Sequence, residues 1–331
     1  MNNKTKRKIN KIGILTSGGD APGMNAAIRS VTRSAIKKGI KVIGIRRGYQ
    51  GMIEGDFTTL STRSVSGILH QGGTILKTAR CNDFRTVEGR TKAYDNLKLH
   101  GIDALVVIGG DGTFTGAQLF TQETDIPTVG MPGTIDNDMY GTDYTIGHDT
   151  ALNTAVEAID KLKDTARSHG RIFIVEVMGN DAGDLALYSG IACGAEAILI
   201  PEVDEDDDLD RFIRKGIKKK ETSGIIVVAE GDEHGGAIAV AERVKKENPK
   251  LEVRVSILGH MQRGGNPTAI DRIMATRMGV GAVDALLDDQ KSIMVGIKDG
   301  EIVHVPFNKC VKGKREFPMD LYEMNKEVVG E

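Results

Sequence analysis

The chain has 331 residues, of which 40% are hydrophobic and 27% are charged, and its formal net charge is -2 at pH 7. This length predicts one large or two smaller α/β domains, and the near-neutral charge without a sustained basic stripe argues against a nucleic-acid-binding protein. Three cysteines without CxxC spacing argue against a disulfide framework or a structural zinc site, and with no membrane-spanning apolar stretch or signal-peptide pattern the sequence predicts a cytoplasmic protein.

Short apolar runs alternate with longer segments of helical periodicity, which predicts parallel β-strands connected by α-helices. In chain order, the predicted strands cover residues 12–16, 41–45, 104–110, 128–131, 171–178, 197–202, 224–230 and 253–259. Several of these runs are apolar on both faces, as buried parallel strands are expected to be.

Two helices and a hairpin complete the predicted elements. The helix MNAAIRSVTRSAIKK carries Ile28, Val31 and Ala35 on one face and is predicted to stop at Gly39, and a second helix covers residues 149–166. The segment SIMVGIKDGEIVHV predicts a β-hairpin that turns at Asp299-Gly300.

Two predicted strands end in glycine-rich segments, TSGGDAPGMN and VVIGGDGTF. Glycines let the main chain approach an anion closely, and the free N–H groups at the start of a helix point toward it. Asp111, in the second segment, suits a magnesium ion that keeps its waters and bridges nucleotide phosphates. A tight strand-to-helix turn explains each segment equally well alone, but together they favour phosphate binding. Neither matches the Walker or GxGxxG pattern.

The segment MPGTIDND, residues 131–138, places two aspartates and an asparagine directly after a predicted strand. If the segment is extended, Thr134, Asp136 and Asp138 lie on one face. Two close carboxylates repel each other and persist with a metal, a cation or a shared proton. A polar turn with an Asx hydrogen bond is the alternative interpretation.

Three basic side chains lie in glycine-containing segments: Arg80 follows the glycine pair of GGTILKTARC, and His260 and Arg263 lie in GHMQRGG, where a strand gives way to a glycine turn. Arginine is the side chain best shaped to bind phosphate through two hydrogen bonds at once. A surface arginine and a structural histidine are the alternatives for each residue taken alone.

Taken together, TSGGDAPGMNAAIR, GGDGTF, PGTIDND, VMGN, AEG and LGHMQRGG, in this order, resemble the bacterial ATP-dependent 6-phosphofructokinases from about Ile12 to Ile297. The resemblance implies two Rossmann-like α/β domains with mostly parallel sheets and the active site in the cleft between them. It implies a nucleotide-binding domain of residues 1–147 plus 260–305 and a sugar-phosphate-binding domain of residues 148–259 plus 306–331. It also implies a homotetramer whose sites straddle a subunit interface.

The implied reaction transfers the γ-phosphate of MgATP to the 1-hydroxyl of fructose 6-phosphate, which gives fructose 1,6-bisphosphate and ADP and is the committed step of glycolysis. By resemblance, Asp136 is the base that removes the proton of the attacking hydroxyl, Thr134 and Asp138 flank it, and Asp111 organises Mg²⁺. Phosphoryl transfer depends mainly on positioning and on stabilising spread negative charge, so a base, a metal and cationic donors are the expected groups.

The resemblance assigns the remaining site residues in three groups. The nucleotide-binding group comprises Gly19, Arg80, Cys81, Gly110, Asp111, Gly112 and Thr113. The sugar-phosphate-binding group comprises Thr134, Ile135, Asp136, Met178, Gly179, Asn180, Glu230, His260 and Arg263, with Arg171 and Arg254 contributed by a neighbouring subunit. An effector site for ADP or phosphoenolpyruvate comprises Arg29, Arg33, Lys163, Glu196 and Lys219, although a solvated helix face explains the two arginines equally well.

Several positions decide between variants of this function. Pyrophosphate-using relatives carry Asp and Lys where this chain has Gly112 and Gly133, so both glycines favour ATP. Asn180 stands where relatives carry arginine, which predicts an active enzyme with weaker transition-state stabilisation. Gly67 and Glu221 replace a usual Asp and Lys, which predicts weaker or altered regulation. The alternatives are a pyrophosphate-dependent enzyme, a kinase of a related sugar phosphate such as tagatose 6-phosphate, and a regulatory homologue without catalysis.

Overall fold

The computed structural model describes residues 8–203, 209–214, 223–233 and 235–329. These residues pack into two compact units. Unit 1 contains the described parts of Met1–Thr134, Met139–Asp149 and Arg263–Arg315. Unit 2 contains the described parts of Ile135–Asp138, Thr150–Gln262 and Glu316–Glu331.

The described β-strands are β1 (Lys11–Thr16), β2 (Lys41–Ile45), β3 (Phe57–Leu60), β4 (Ala104–Gly109), β5 (Thr128–Pro132), β6 (Ile172–Val177), β7 (Ala197–Leu199), β8 (Gly224–Ala229), β9 (Val253–Ile257), β10 (Ile293–Lys298) and β11 (Glu301–Pro306). The helices with defined bounds are α1 (Met24–Lys37), α2 (Gly48–Glu54), α3 (Val87–Leu99), α4 (Asp111–Thr124), α5 (His148–His169), α6 (Asp184–Cys193), α7 (Gly236–Glu247), α8 (Ala269–Leu287), α9 (Phe307–Cys310) and α10 (Met319–Val329). Short 3-10 helices cover Asp83–Arg85 and Gly259–Arg263.

Unit 1 is built on a sheet whose described strands run in the order β11-β10-β5-β4-β1-β2-β3. The central pairs are parallel, whereas β3 pairs with β2 and β11 pairs with β10 in antiparallel fashion. Strand β4 is buried along its whole length, as its unbroken apolar sequence predicts. Unit 2 has a sheet of order β7-β8-β6-β9, and its described strands are all parallel.

The predicted α/β fold with mostly parallel sheets is confirmed. Each predicted strand is present, although β7 ends at Leu199, three residues before the predicted end, with Pro201 following. Helix α1 buries Ile28, Val31 and Ala35, and Gly39 beyond its end has a left-handed φ of 77°. The hairpin of β10 and β11 turns at Asp299-Gly300, where both residues have positive φ.

The unit boundaries differ from the expected domain boundaries in four places, and at two of them the boundary is only shifted: residues 148–149 lie in unit 1 and residues 260–262 lie in unit 2. Residues 306–315 pack with unit 1 rather than with unit 2, because the Phe307 ring stacks on Phe114 of α4 with 5.2 Å between ring centroids. Residues 135–138 pack with unit 2, although both flanking stretches belong to unit 1. No helix in the described part of the chain is long and apolar enough to cross a membrane.

Candidate active site

The two glycine-rich segments meet in unit 1 at the carboxyl ends of the adjacent parallel strands β1 and β4. The backbone N–H of Ser17 donates to the carbonyl of Ile108 at 3.0 Å, and the hydroxyl of Thr113 donates to the carbonyl of Ser17 at 3.2 Å. A Cβ on Gly109 would lie 2.4 Å from the Thr113 hydroxyl and 2.5 Å from the Ser17 carbonyl oxygen, so only glycine fits there. The carboxyl ends of parallel strands are the usual ligand-binding edge of such a sheet.

Arg263 lies against the first glycine-rich segment. A Cβ on Gly19 would lie 1.7 Å from Nη1 of Arg263, so the guanidinium packs on the bare backbone at this position. The sequence assigned Gly19 to nucleotide phosphates and Arg263 to the sugar phosphate, and the structure brings the two together within unit 1. An arginine beside a glycine-rich turn is suited to a phosphate group.

The stretch that leads to Arg80 is fastened to the end of β1. The Thr78 hydroxyl donates to the carbonyl of Gly18 at 2.6 Å. The buried Asn25 side chain makes hydrogen bonds of 2.8 to 3.2 Å with the backbone of residues 71–75. Arg80 itself is exposed at the end of this stretch. Sequence reasoning missed Asn25, although a polar residue three positions before Ile28 on the inward face of α1 was the available signal.

Asp111 is the first residue of α4, and Gly110 is its N-cap residue. The side chain reaches solvent, yet partial burial raises the pKa of Asp111 above its ordinary value of 3.8. Gly112 follows it on the surface, and no atom lies within 4 Å of the place where its Cβ would be. The helix start directs its free N–H groups toward the same surface, which favours a bound anion.

The donor set at Asp111 fits magnesium bound together with phosphates. Among the described residues, no group of three or more His, Cys, Asp or Glu side chains could enclose a metal. Mg²⁺ is usually held by one or two carboxylates and substrate phosphates while it keeps several waters, so the single carboxylate of Asp111 is sufficient. A bound cation would also favour the ionised form of Asp111, against the effect of burial.

Aromatic and charged contacts tie the first turn of α4 to the residues that follow Cys81. The Tyr49 hydroxyl donates to the carbonyl of Thr113 at 2.6 Å, and its ring stacks on Phe84 with 3.9 Å between centroids. The Arg90 guanidinium donates to the carbonyl of Phe84 at 3.0 Å. Cys81 is half-buried, and this burial raises the pKa of its thiol. Sequence reasoning missed the contacts of Tyr49 because they join residues that are far apart in the chain.

The TIDND segment bends instead of continuing as an extended strand. Strand β5 ends at Pro132, the backbone bends at Ile135 and Asp136, and Asn137 has a left-handed φ of 56°. The segment is therefore not extended, so the condition for placing Thr134, Asp136 and Asp138 on one face is not met, and the backbone agrees with the alternative of a polar turn. Ile135 and Asn137 are buried, whereas Asp136 is half-buried and Asp138 is exposed.

Unit 2 gathers the predicted sugar-binding residues at the carboxyl ends of three adjacent strands, β8, β6 and β9. The backbone N–H of Asn180 donates to Oε1 of Glu230 at 2.9 Å. The N–H of Met178 donates to the side-chain oxygen of the fully buried Gln262 at 3.3 Å. His260 is exposed on the 3-10 helix that contains Gln262. Gln262 was not assigned from the sequence, although it lies inside the quoted GHMQRGG motif.

Asn180 and Gly179 occupy backbone conformations that explain their identities. Gly179 has a φ of 147°, and a Cβ there would lie 2.3 Å from the carbonyl oxygen of Ala182. Asn180 has a φ of 53° and donates its side-chain amide to Oδ2 of Asp181 at 3.0 Å. Asparagine tolerates this left-handed region better than most residues.

Arg171 and Arg254 lie at the opposite, amino end of the same sheet. Nε of Arg171 is 2.7 Å from Oε2 of Glu252, and Nη2 of Arg254 is 3.6 Å from that oxygen. The hydrogen bond from Arg171 holds the pKa of Glu252 below its ordinary value. A strand of six residues is about 20 Å long, so within one unit 2 these arginines are separated from His260 by the length of the sheet.

The predicted effector residues are distributed over both units. Arg29 and Arg33 lie four residues apart on the outer face of α1 in unit 1. In unit 2, Lys163 donates to the carbonyls of Cys193 and Gly194 at the end of α6. Glu196 accepts a hydrogen bond of 2.5 Å from the backbone N–H of Ile225. Lys219 lies outside the described residues.

The chain matches known proteins over nearly its whole length. The model of the family described as "Phosphofructokinase" matches residues 11–286. An "ATP-dependent 6-phosphofructokinase 2" of Bacteroides thetaiotaomicron is 59% identical over 318 residues, which is 96% of this chain and 98% of the relative. An "ATP-dependent 6-phosphofructokinase" of Halalkalibacterium halodurans is 51% identical over 97% of this chain and 99% of the relative.

A solved structure agrees with the sequence relatives. The phosphofructokinase from Saccharomyces cerevisiae superposes with a TM-score of 0.88 at 38% identity and covers 97% of this chain. This chain spans 50% of the length of the yeast chain. The two-unit α/β fold and the relatives named above show that the chain belongs to the phosphofructokinase family.

Proposed function

We propose that the protein transfers the γ-phosphoryl group of MgATP to the 1-hydroxyl of fructose 6-phosphate, giving fructose 1,6-bisphosphate and ADP. The observation that carries this proposal is the joining of the two glycine-rich segments, with Asp111 at the start of α4 and Arg263 packed on Gly19. The bacterial relatives named ATP-dependent 6-phosphofructokinase, matched over nearly their full lengths, support the same activity.

On the nucleotide side, backbone N–H groups do most of the binding. The start of α4, from Gly110 to Thr113, and the turn at Gly19 would bind the phosphates, because Gly19, Asp111 and Gly112 are exposed and the helix dipole favours negative charge. Asp111 would hold Mg²⁺ together with phosphate oxygens, and the ion supplies charge neutralisation on the phosphates when bound. Arg80 would neutralise further negative charge, and Cys81 lies beside it.

On the acceptor side, Asp136 would take the proton from the 1-hydroxyl as that oxygen attacks the γ-phosphorus. Thr134 and Asp138 would position the reacting groups beside it. A carboxylate within hydrogen-bond reach of the hydroxyl raises its nucleophilicity without forming a covalent intermediate. Ile135 would contribute through its backbone, since its side chain is buried.

The sugar phosphate would be bound mainly by residues at the carboxyl end of the unit 2 sheet. His260 and Arg263 would bind the 6-phosphate, and Glu230 would accept a hydrogen bond from a sugar hydroxyl. Met178 and Gly179 would line the sugar. Asn180 would supply an amide where relatives have a positive charge.

Arg171 and Arg254 would serve the site of a neighbouring subunit, because they lie at the amino end of the sheet and not beside His260. We therefore propose a homotetramer with sites that use residues of two subunits. We propose weaker or altered regulation by ADP or phosphoenolpyruvate at Arg29, Arg33, Lys163, Glu196 and Lys219. We also propose a cytoplasmic location, which cell fractionation tests.

A coupled assay with fructose 6-phosphate tests the reaction. We expect turnover with MgATP and little with pyrophosphate, because the space above Gly112 is open for a nucleotide and the relatives named above are ATP-dependent. Asp136→Ser should lower kcat by a factor of about 100 to 10,000, the usual contribution of a general base. Absence of turnover with either donor would contradict the kinase assignment and favour a regulatory homologue. Faster turnover with pyrophosphate than with ATP would show that pyrophosphate is the phosphoryl donor.

A further inference from the structure

The four residues Ile135 to Asp138 are attached to unit 2, while Thr134 before them and Met139 after them belong to unit 1. Two side chains of this segment are buried, those of Ile135 and Asn137, which are 2% and 3% exposed. The two carboxylates alternate with them along the chain: Asp138 is exposed, whereas Asp136 is half-buried and its Oδ1 is shielded from solvent. The direction of Asp136 and Asp138 therefore depends on how the buried residue between them is held.

Asn137 is held by a specific hydrogen bond. Its side-chain Nδ2 donates to Oδ1 of Asp184 at 3.3 Å, and Asp184 is itself only 3% exposed. A hydrogen bond with an ionised partner is stronger than a neutral one, and a buried one is screened little by water.

Asp184 is the first residue of α6. A carboxylate in the first turn is stabilised by the helix dipole. The preceding residue, Gly183, donates its backbone N–H to Oε1 of Glu202 at 2.9 Å. This hydrogen bond connects the start of α6 to a side chain outside the helix. The left-handed φ of 56° at Asn137 adds a second restraint, since few residues adopt it without strain.

We propose that the Asn137–Asp184 pair is a positioning device that sets the orientation of the Asp136 carboxylate for proton removal. The inference rests on the proposed function, in which Asp136 is the base. Asn137 and Asp184 are positioning residues: they act through the backbone of the TIDND segment and need no contact with substrate. Nothing in this role requires either side chain to be exposed, which agrees with their burial.

Four variants test the pair. Asn137→Gly removes the hydrogen bond but keeps a residue that adopts positive φ, and it should lower kcat by a factor of about 10 to 100. The KM for ATP should stay within about twofold, because the nucleotide residues lie in unit 1. Asn137→Asp places two carboxylates face to face and should lower kcat more. Asp184→Asn keeps an acceptor oxygen but makes the hydrogen bond a neutral one, so it should lower kcat by less than Asn137→Gly does.

The double variant with the pair reversed, Asn137→Asp with Asp184→Asn, gives the most decisive test, because recovery of kcat requires the hydrogen bond itself. Its amide at 184 can donate to the carboxylate at 137, so kcat should recover at least about tenfold relative to Asn137→Asp alone. Asn96→Ala is the matched control, because Asn96 also anchors backbone through its amide, at Met52 and Ile53, but far from this segment. That variant should lose thermal stability without losing kcat.

Wild-type kcat in Asn137→Gly, or no recovery in the reversed pair, would overturn the positioning role. A fall in melting temperature alone, equal to that of Asn96→Ala, would also overturn it. The Asp136→Ser variant separates this outcome from failure of the proposed function. If Asp136→Ser is inactive while Asn137→Gly is fully active, only the positioning role is lost, whereas turnover in Asp136→Ser would remove the base and the positioning role together.

Discussion

At Asn180, the backbone conformation and the chemistry of the proposed site favour different residue types. Its left-handed φ of 53° and its hydrogen bond to Asp181 favour asparagine, while its place beside Glu230 favours a cation. A longer side chain in this conformation costs about 1 kcal/mol. The residue present in this chain therefore stabilises the fold locally at the expense of positive charge.

We expect Asn180→Arg to raise kcat/KM for fructose 6-phosphate by about tenfold, since hydrogen bonds to charged groups contribute roughly 1.5 to 3 kcal/mol. The melting temperature should fall by about 2 to 4 °C, because the variant loses the bond to Asp181 and strains the backbone. Steady-state kinetics and calorimetry measure the two effects. Asn180→Gln is the control, with similar strain and no charge, and an equal result for both variants would show that charge is not limiting here.

Substitutions at Gly112 and Gly133 both test the choice of phosphoryl donor, but only the substitution at Gly133 should destabilise the fold. No atom lies within 4 Å of a Cβ at Gly112, so Gly112→Asp should change stability by less than about 0.5 kcal/mol. Its carboxylate would face the phosphates, and we expect ATP-dependent kcat/KM to fall by about 100-fold, with a smaller fall for the uncharged Gly112→Asn. Unchanged ATP kinetics in Gly112→Asp would contradict the role of this glycine.

A Cβ at Gly133 would lie 2.9 Å from Cγ2 of Ile108 and 3.3 Å from Cε of Met24. Gly133→Lys should therefore destabilise unit 1 by about 1 to 3 kcal/mol in addition to any effect on the donor. Thermal unfolding measures the difference between the two glycine variants. A lysine at 133 that left the melting temperature unchanged would show that Ile108 and Met24 can move aside.

At the scale of elements, Arg90 joins α3, α4 and the 3-10 helix at Asp83–Arg85. Its Nε and Nη2 pair with both carboxylate oxygens of Glu123 at 2.6 and 2.7 Å, and its Nη1 donates to the carbonyls of Phe84 and Arg85. Arg90 is buried, so each of these bonds satisfies a donor that would otherwise be costly. The arrangement holds the residues after Cys81 close to the helix that begins at Asp111.

We expect Glu123→Gln to lower the free energy of unfolding by about 1 to 2 kcal/mol near neutral pH, a value reduced for the partial exposure of Glu123. Arg90 holds the pKa of Glu123 below its ordinary value of 4.5, so the stabilisation is complete above that value and is lost as the pH falls through the lowered pKa. Denaturant unfolding at about pH 7 and at about pH 4 should show the difference between variant and parent shrinking in acid. A difference that grows as the pH falls would contradict the ion pair.

Local sequence was sufficient to predict the elements whose hydrophobic pattern lies within the element itself. It was insufficient for the turns and contacts that depend on residues far away in the chain. Strand β4 was predicted because a strand buried on both faces has an unbroken apolar sequence. Helix α1 was predicted because a helix buried on one face has apolar residues at helical spacing. Strand β3 was missed because FTTL is short, partly polar and at the sheet edge. The turn of the TIDND segment was predicted only as an alternative, and its hydrogen bond from Asn137 was missed because the partner, Asp184, is 47 residues away. The residues at the strand ends were predicted from motifs, whereas the contacts that orient them were not.

At the scale of the whole molecule, the two ends of the unit 2 sheet carry different parts of one proposed site. Glu230 and His260 follow the carboxyl ends of their strands, and Arg171 and Arg254 lie near the amino ends, where both contact Glu252. The length of β6 prevents one copy of unit 2 from placing both sets around one small ligand. A second subunit resolves this separation if its amino-end arginines face the carboxyl end of the first.

We expect this arrangement to allow complementation between inactive variants. Asp136→Ser keeps both arginines, and the double variant Arg171→Ala, Arg254→Ala keeps Asp136. A mixed oligomer therefore contains a site with every native group, and co-expression with two affinity tags should recover up to about a quarter of the parent activity if subunits pair at random across a two-fold interface. The control is a mixture of Arg171→Ala and Arg254→Ala subunits. Both arginines of a chain contact the same Glu252, so a site takes positions 171 and 254 from one and the same neighbour. Every site in the control mixture therefore lacks one of the two arginines. Recovery in the control equal to that in the test mixture, or none in the test mixture despite purified mixed oligomers, would place Arg171 and Arg254 outside a shared site.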